Sequence, residues 1–126
     1  MAKSFLLLRA YWKLICFDLH LASGDFGRLY RKVQASPLEP GCAIPVEIEQ
    51  ICSAIDSACV WYWKPVFCLQ RSAATACLLK EYGVPAQMVI GAQLVPFRSH
   101  AWVEVKGKVV NDKAYVKEIY GVLDRC

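Results

Sequence analysis

Residues 68–82 constrain this fold more than any other stretch. Ala73, Ala74, Ala76, Cys77 and Leu78 leave it almost no polar surface. A run of that kind suits a helix covered on most sides by other elements. Gly83 fits the left-handed position that closes a helix, and Pro85 stops it from resuming. The periodicity then changes. Residues 86–92 read as a strand, and Val95-Pro96-Phe97-Arg98 as a loop or strand entry. Residues 99–105 alternate, with Ala101, Val103 and Val105 on one face and His100, Trp102 and Glu104 on the other. The expected class is α+β: N-terminal helices, then a buried helix packed on a small antiparallel sheet.

Upstream, residues 4–21 read as a helix, broken at Ser23-Gly24-Asp25. Asp25 is placed to cap a second helix running to Val33. Ser36-Pro37-Leu38-Glu39-Pro40-Gly41 is rich in breakers. It divides a helical arm, residues 1–36, from a core spanning residues 45–126. At 126 residues the whole is expected to be one domain. Residues 46–60 form an amphipathic helix, with Ile48, Ile51, Cys52, Ile55 and Cys59 on one stripe. Cys52 and Cys59 therefore read as core rather than metal ligands. The tail, residues 115–123, reads as a strand or a short helix.

The formal charge of +4 is mild and does not mark a nucleic-acid binder. The seven cysteines are odd in number, irregularly spaced and free of any C-x-x-C pair. That argues against a disulfide framework and a structural zinc site, and for a reduced, cytoplasmic setting. The apolar run at residues 5–17 is interrupted by Arg9 and Lys13. It is too short and too charged for stable membrane insertion and lacks an uninterrupted signal core. No cofactor is called for.

Cys68 falls at the expected start of the buried helix, where free N–H groups and the helix dipole stabilise a thiolate. If that helix began several residues earlier, Cys68 would be ordinary core. A cysteine nucleophile also needs a base, and the base an orienting acceptor. There are two histidines; His20 lies on the first helix, and His100 on a strand. Asp112 is the candidate acceptor. With a three-residue loop Val105-Lys106-Gly107, Glu104 pairs with Lys108 and His100 faces Asp112. With a two-residue loop Lys106-Gly107, every partner shifts by one and Asp112 turns to the opposite face. Opposite charges on Glu104 and Lys108 favour the first register.

The order of helix-start cysteine, strand histidine and acceptor on the neighbouring strand resembles papain-like and transglutaminase-like enzymes. More specifically, Cys68-Leu69-Gln70-Arg71-Ser72, Gly83-Val84-Pro85-Ala86, Val89-Ile90-Gly91, Pro96-Phe97-Arg98-Ser99-His100-Ala101-Trp102-Val103-Glu104-Val105 and Val109-Val110-Asn111-Asp112 resemble the leader peptidase of lasso-peptide biosynthesis. That family belongs to the transglutaminase-like cysteine-protease superfamily. The resemblance implies a cysteine peptidase with Cys68 as nucleophile, His100 as general base and then acid, and Asp112 as orienter. Trp102 is a weaker candidate for contacting substrate. The implied substrate is a ribosomally made precursor, cut between leader and core. The implied partners are a separate leader-recognition protein and the ATP-dependent macrolactam cyclase that follows. The backbone N–H of Cys68 is a natural first oxyanion donor, and a second is sought in residues 63–67. Phe5, Leu6, Leu8, Tyr11, Trp12, Ile15 and Phe17 either dock the partner or cover the core. A related acyl-transfer enzyme and a catalytically silent binding module share these residues, since hydrolysis and transfer both pass through a cysteine thioester.

Overall fold

The computed structural model describes residues 2–22, 24, 26–36, 48–94, 96–113 and 115–126. Its elements, in chain order, are α1 (Ala2–Ala22), α2 (Phe26–Ala35), α3 (Ile48–Trp61), α4 (Cys68–Glu81), β1 (Ala86–Leu94), β2 (Phe97–Val105), β3 (Lys108–Val109), α5 (Val116–Ile119) and β4 (Gly121–Arg125). The class is α+β, as expected. Asp25 and residues 37–47, which carry the expected cap and most of the expected boundary loop, lie outside the described residues.

The apolar run at the centre of the sequence is α4, buried almost continuously from Ser72 to Lys80. Gly83 ends it with φ of 81°. Its N–H donates to the Lys80 carbonyl and that of Val84 to Leu79, which satisfies two carbonyls of the last turn. Helices α1 and α3 cover one side of α4 and the sheet covers the other. One apolar cluster joins Leu14, Phe17, Ile51, Ile55, Leu78, Met88 and Val103 across all these layers.

The first helix does two things at once. Leu6, Ala10, Leu14 and Phe17 are buried in the core, whereas Phe5, Leu8, Trp12 and Leu19 are exposed. It also anchors the segment leading into α4. Asp18 accepts a hydrogen bond from the Tyr62 hydroxyl at 2.7 Å and pairs with Lys64 at 2.7 Å. Gln70, buried in the first turn of α4, donates to the Leu14 carbonyl at 2.7 Å.

The sheet is antiparallel, in the order β3-β2-β1-β4. The tail contributes both a short helix and a strand, and the strand pairs with β1. Beyond it, Met88 and Cys126 exchange two backbone hydrogen bonds of 2.9 Å. Chain order fixes the direction of α4. Strand β1 starts just after α4 ends, so the helix runs antiparallel to β1 and parallel to β2. Ala86, Met88, Val103 and Val105 face α4. By strand alternation Val89, Trp102 and Glu104 point the other way, and Val116 packs there with Val89 and Trp102.

The turn between β2 and β3 corrects an expectation. Val105 pairs with Lys108 and Glu104 with Val109, so the loop is the two residues Lys106 and Gly107. Their φ angles of 52° and 81° suit the twist of a tight hairpin. Glu104 does not pair with Lys108. It is buried, accepts from Trp102 Nε1 at 2.9 Å and meets Arg125 Nε at 3.4 Å. The expected strand at residues 109–112 is also shortened, because β3 ends at Val109.

Gly91 has a packing role. A Cβ there would lie 2.6 and 2.8 Å from ring atoms of Trp102, which is fully buried and has nowhere to move. Gly91→Ala is expected to destabilise the fold by about 1–3 kcal/mol. Urea unfolding followed by Trp fluorescence measures it; a wild-type midpoint would refute this account of the packing.

Candidate active site

Cys68 is the first residue of α4 and is partly exposed. The helix has no side-chain cap at Phe67, so the first-turn N–H groups are not occupied by one. One turn along, Ser72 is buried against β2 and donates its hydroxyl to the Ala101 carbonyl at 3.0 Å. Cys68 lies about 6 Å before Ser72 along the helix axis. Because α4 and β2 run in the same direction, that offset is about two strand residues. It sets Cys68 at the level of Ser99 and His100.

His100 Nε2 meets Asp112 Oδ2 at 2.5 Å. Burial pushes the Asp112 carboxyl up, but it is outweighed. Hydrogen bonds from His100 and the Lys113 N–H, with the charges of His100 and Arg71, hold the carboxyl below its ordinary value. Asp112 is therefore an acceptor at neutral pH. It follows that Nε2 carries the hydrogen of this bond, so that Nδ1 is the nitrogen with a lone pair in the neutral imidazole.

The observed turn parity would send a regular strand's Asp112 to the wrong face. Asn111 resolves this. Its Oδ1 accepts from the Val103 N–H at 2.7 Å, where a strand carbonyl would otherwise sit. The backbone is released from the ladder and bends at residues 111–112, which returns Asp112 to His100. Asn111 Nδ2 also donates to Ser72 Oγ at 3.2 Å, and Arg71 donates to the Asn111 carbonyl at 2.8 Å. Arg71 is itself paired with Asp56 on α3 at 3.0 Å. The cysteine helix, the histidine strand and the aspartate bend are thus joined at one point.

His100 and Asp112 are in contact; Cys68 is brought to the same end of the sheet. Among the described residues no hydrogen bond joins the Cys68 sulfur to His100. His100 shares its face with Trp102 and Tyr120, at ring-centroid distances of 6.1 and 5.3 Å. By strand alternation this is the sheet face opposite the one α4 covers, and Asn111 and Arg71 lie between the cysteine helix and the strand that carries His100.

Trp102 is corrected from a substrate contact to a buried support. Its relative exposure is 0%, and its indole N–H is committed to Glu104. His20 lies on α1, where its Nδ1 donates to the Cys16 carbonyl at 2.8 Å. Burial holds back four of the other thiols, those of Cys52, Cys59, Cys77 and Cys126. It pushes Cys52 and Cys126 up to about 11 and raises Cys59 and Cys77 as well. The residues that sequence reading missed are Ser72, Asn111 and Arg71. Only their polarity, within otherwise apolar or strand-like stretches, could have pointed to them.

The family model of the transglutaminase-like superfamily matches residues 12–125, nearly the whole chain. This chain belongs to the transglutaminase-like superfamily. Among curated proteins it is similar to the Microcin J25-processing protein McjB of Escherichia coli, with 39% identity over 56 residues. That stretch covers 44% of this transglutaminase-like chain and 27% of the relative, little more than a quarter of its length. No solved structure matches.

Two outcomes follow from this geometry. Asn111→Ala leaves the Val103 N–H without its acceptor and should cost about 1–3 kcal/mol in urea unfolding. A change within error would remove Asn111 from its linking role. The depressed Asp112 pKa also has a definite sign. Its stabilisation is complete above the unfolded value of 3.8 and fades as pH falls through the lower folded value. The stability gap between wild type and Asp112→Asn should therefore be largest near neutrality and shrink below pH 3.8. A gap that widens in acid would reverse the assignment.

Proposed function

We propose that this chain is a cysteine peptidase that removes the leader from a ribosomally made lasso-peptide precursor. The observation that carries the reading is the His100–Asp112 bond at the level of Cys68, the helix-start cysteine. Membership of the transglutaminase-like superfamily and similarity to a processing protein for microcin J25 support it.

In this mechanism His100 Nδ1 takes the Cys68 proton, and the sulfur attacks the carbonyl carbon of the scissile peptide bond. The negative oxygen that forms is met by the Cys68 backbone N–H, with a second donor sought in residues 63–67. The C–N bond then breaks, and His100 returns the proton to the departing nitrogen. The core peptide leaves with a free N-terminal amine, and the leader remains as a thioester on Cys68. Water attacks next, giving its proton to His100. The leader departs as a carboxylate and the thiol is restored. Asp112 holds the imidazole tautomer and orientation throughout. Catalytic contacts often tighten only when substrate binds, which accommodates the absence of a Cys68–His100 bond here.

The same proposal assigns the chain a separate leader-recognition partner, seated on the exposed Phe5, Leu8, Trp12 and Leu19 of α1. The macrolactam cyclase would then receive the freed amine. An amine in place of water at the thioester would make the chain an acyl-transfer enzyme. Both routes use the same three residues and pass through the same cysteine thioester.

The deciding experiment incubates the chain with a precursor peptide, with and without a leader-binding protein, and weighs the products. Separate leader and core masses are expected. Cys68→Ala should abolish them, a loss of at least about a thousandfold, while Cys77→Ala retains cleavage if it folds. A Cys68→Ala protein that cuts as fast as wild type would refute the mechanism. The pH profile of kcat/KM should rise along a limb belonging to the Cys68–His100 pair.

A further inference from the structure

We infer that Phe67, Leu94 and Phe97 form an apolar seat for a side chain of the peptide substrate close to the scissile bond, and so set cleavage-site preference. The inference rests on the peptidase reading and adds a specificity determinant to it.

Leu94 and Phe97 are directly paired across the β1–β2 hairpin and so share one sheet face. Strand alternation makes it the face of Met88 and Val103, which α4 covers. The helix, however, starts at Cys68, at the level of Ser99, and the two side chains lie beyond its end. They are left 79% and 71% exposed, although Met88 and Val103, on the same face at the far end of the strands, are fully buried. Phe67, the residue before Cys68, is 69% exposed at the same end. Large apolar groups from two separate elements thus flank the approach to one sulfur.

The occupant is argued from position and chemistry. A peptide whose carbonyl reaches Cys68 must run past the N-terminal end of α4, between Phe67 and the hairpin tip. Its side chains and backbone would then lie against these three residues. Apolar surface selects an aromatic or branched aliphatic side chain over a charged one, by a factor of about 10 to 100.

The test compares precursor peptides in which each position on either side of the scissile bond is changed in turn to Leu, Phe, Ser or Asp. Wild type is expected to favour Leu or Phe over Asp at one position by at least about tenfold in kcat/KM. In Leu94→Ser/Phe97→Ser that preference should collapse to under about threefold, and Phe97→Leu should retain most of it. Both changes are at exposed positions, so a circular-dichroism melt close to wild type is expected. Should the double variant unfold, Phe97→Ser alone carries the comparison. Binding of the same peptides to Cys68→Ala, read by fluorescence anisotropy, should reproduce the preference. A wild type that cuts with a preference indifferent to Leu94 and Phe97 overturns the seat and leaves the peptidase reading standing. A wild type that cuts no peptide, even with a leader-binding protein, overturns both. Sedimentation showing that the two serines only dissolve a dimer, with preference intact, would reassign the surface to a second copy of the chain.

Discussion

The structure turns on a short buried chain of hydrogen bonds from Ser72 through Asn111 to the backbone of β2. Apolar packing places α4 against the sheet but does not fix how far along the strands it sits. A slide of one residue would keep most of the contacts between small alanines and the sheet. Directional bonds resist it. Each involves a group hidden from water, so breaking one leaves an unpaired donor or acceptor. The same bonds decide where Cys68 ends up relative to His100 and how the chain carrying Asp112 turns.

Much of this was legible in the residues. The alanine-rich run, Gly83 and Pro85 identified α4 and its C-terminal end. Alternation identified β2 and the faces of His100 and Trp102. Periodicity and terminators are local, and the physics that reads them is local too. The hairpin parity misled for a definable reason. Opposite charges on Glu104 and Lys108 suggested pairing, but Glu104 is held by the Trp102 indole on its own strand and by Arg125, a contact that exists only once the tail strand has paired with β1. The preference of a tight turn for matching strand twist then prevailed.

The pairing of His100 with Asp112 was therefore expected through the wrong register and is reached by another route. A side chain, Asn111, stands in for a backbone carbonyl, and no strand-counting rule anticipates that. The burial of Trp102 escaped for a related reason. A tryptophan beside a candidate base looks like a substrate platform until α5 and Tyr120 close over it. Covering elements that come from the far end of the chain are the least readable from a local pattern.

The split origin of the candidate chemistry has a thermal corollary. The sulfur belongs to a helix and the imidazole to a sheet, and the outer links of the tie between them, Arg71 to Asp56 and His100 to Asp112, are partly exposed. Edges and termini open before cores do. On warming, the tie should loosen while α4 remains clamped between its helices and the sheet. Such a protein would fall silent while still folded and regain its competence on cooling, so its working range would be narrower than its melting curve suggests.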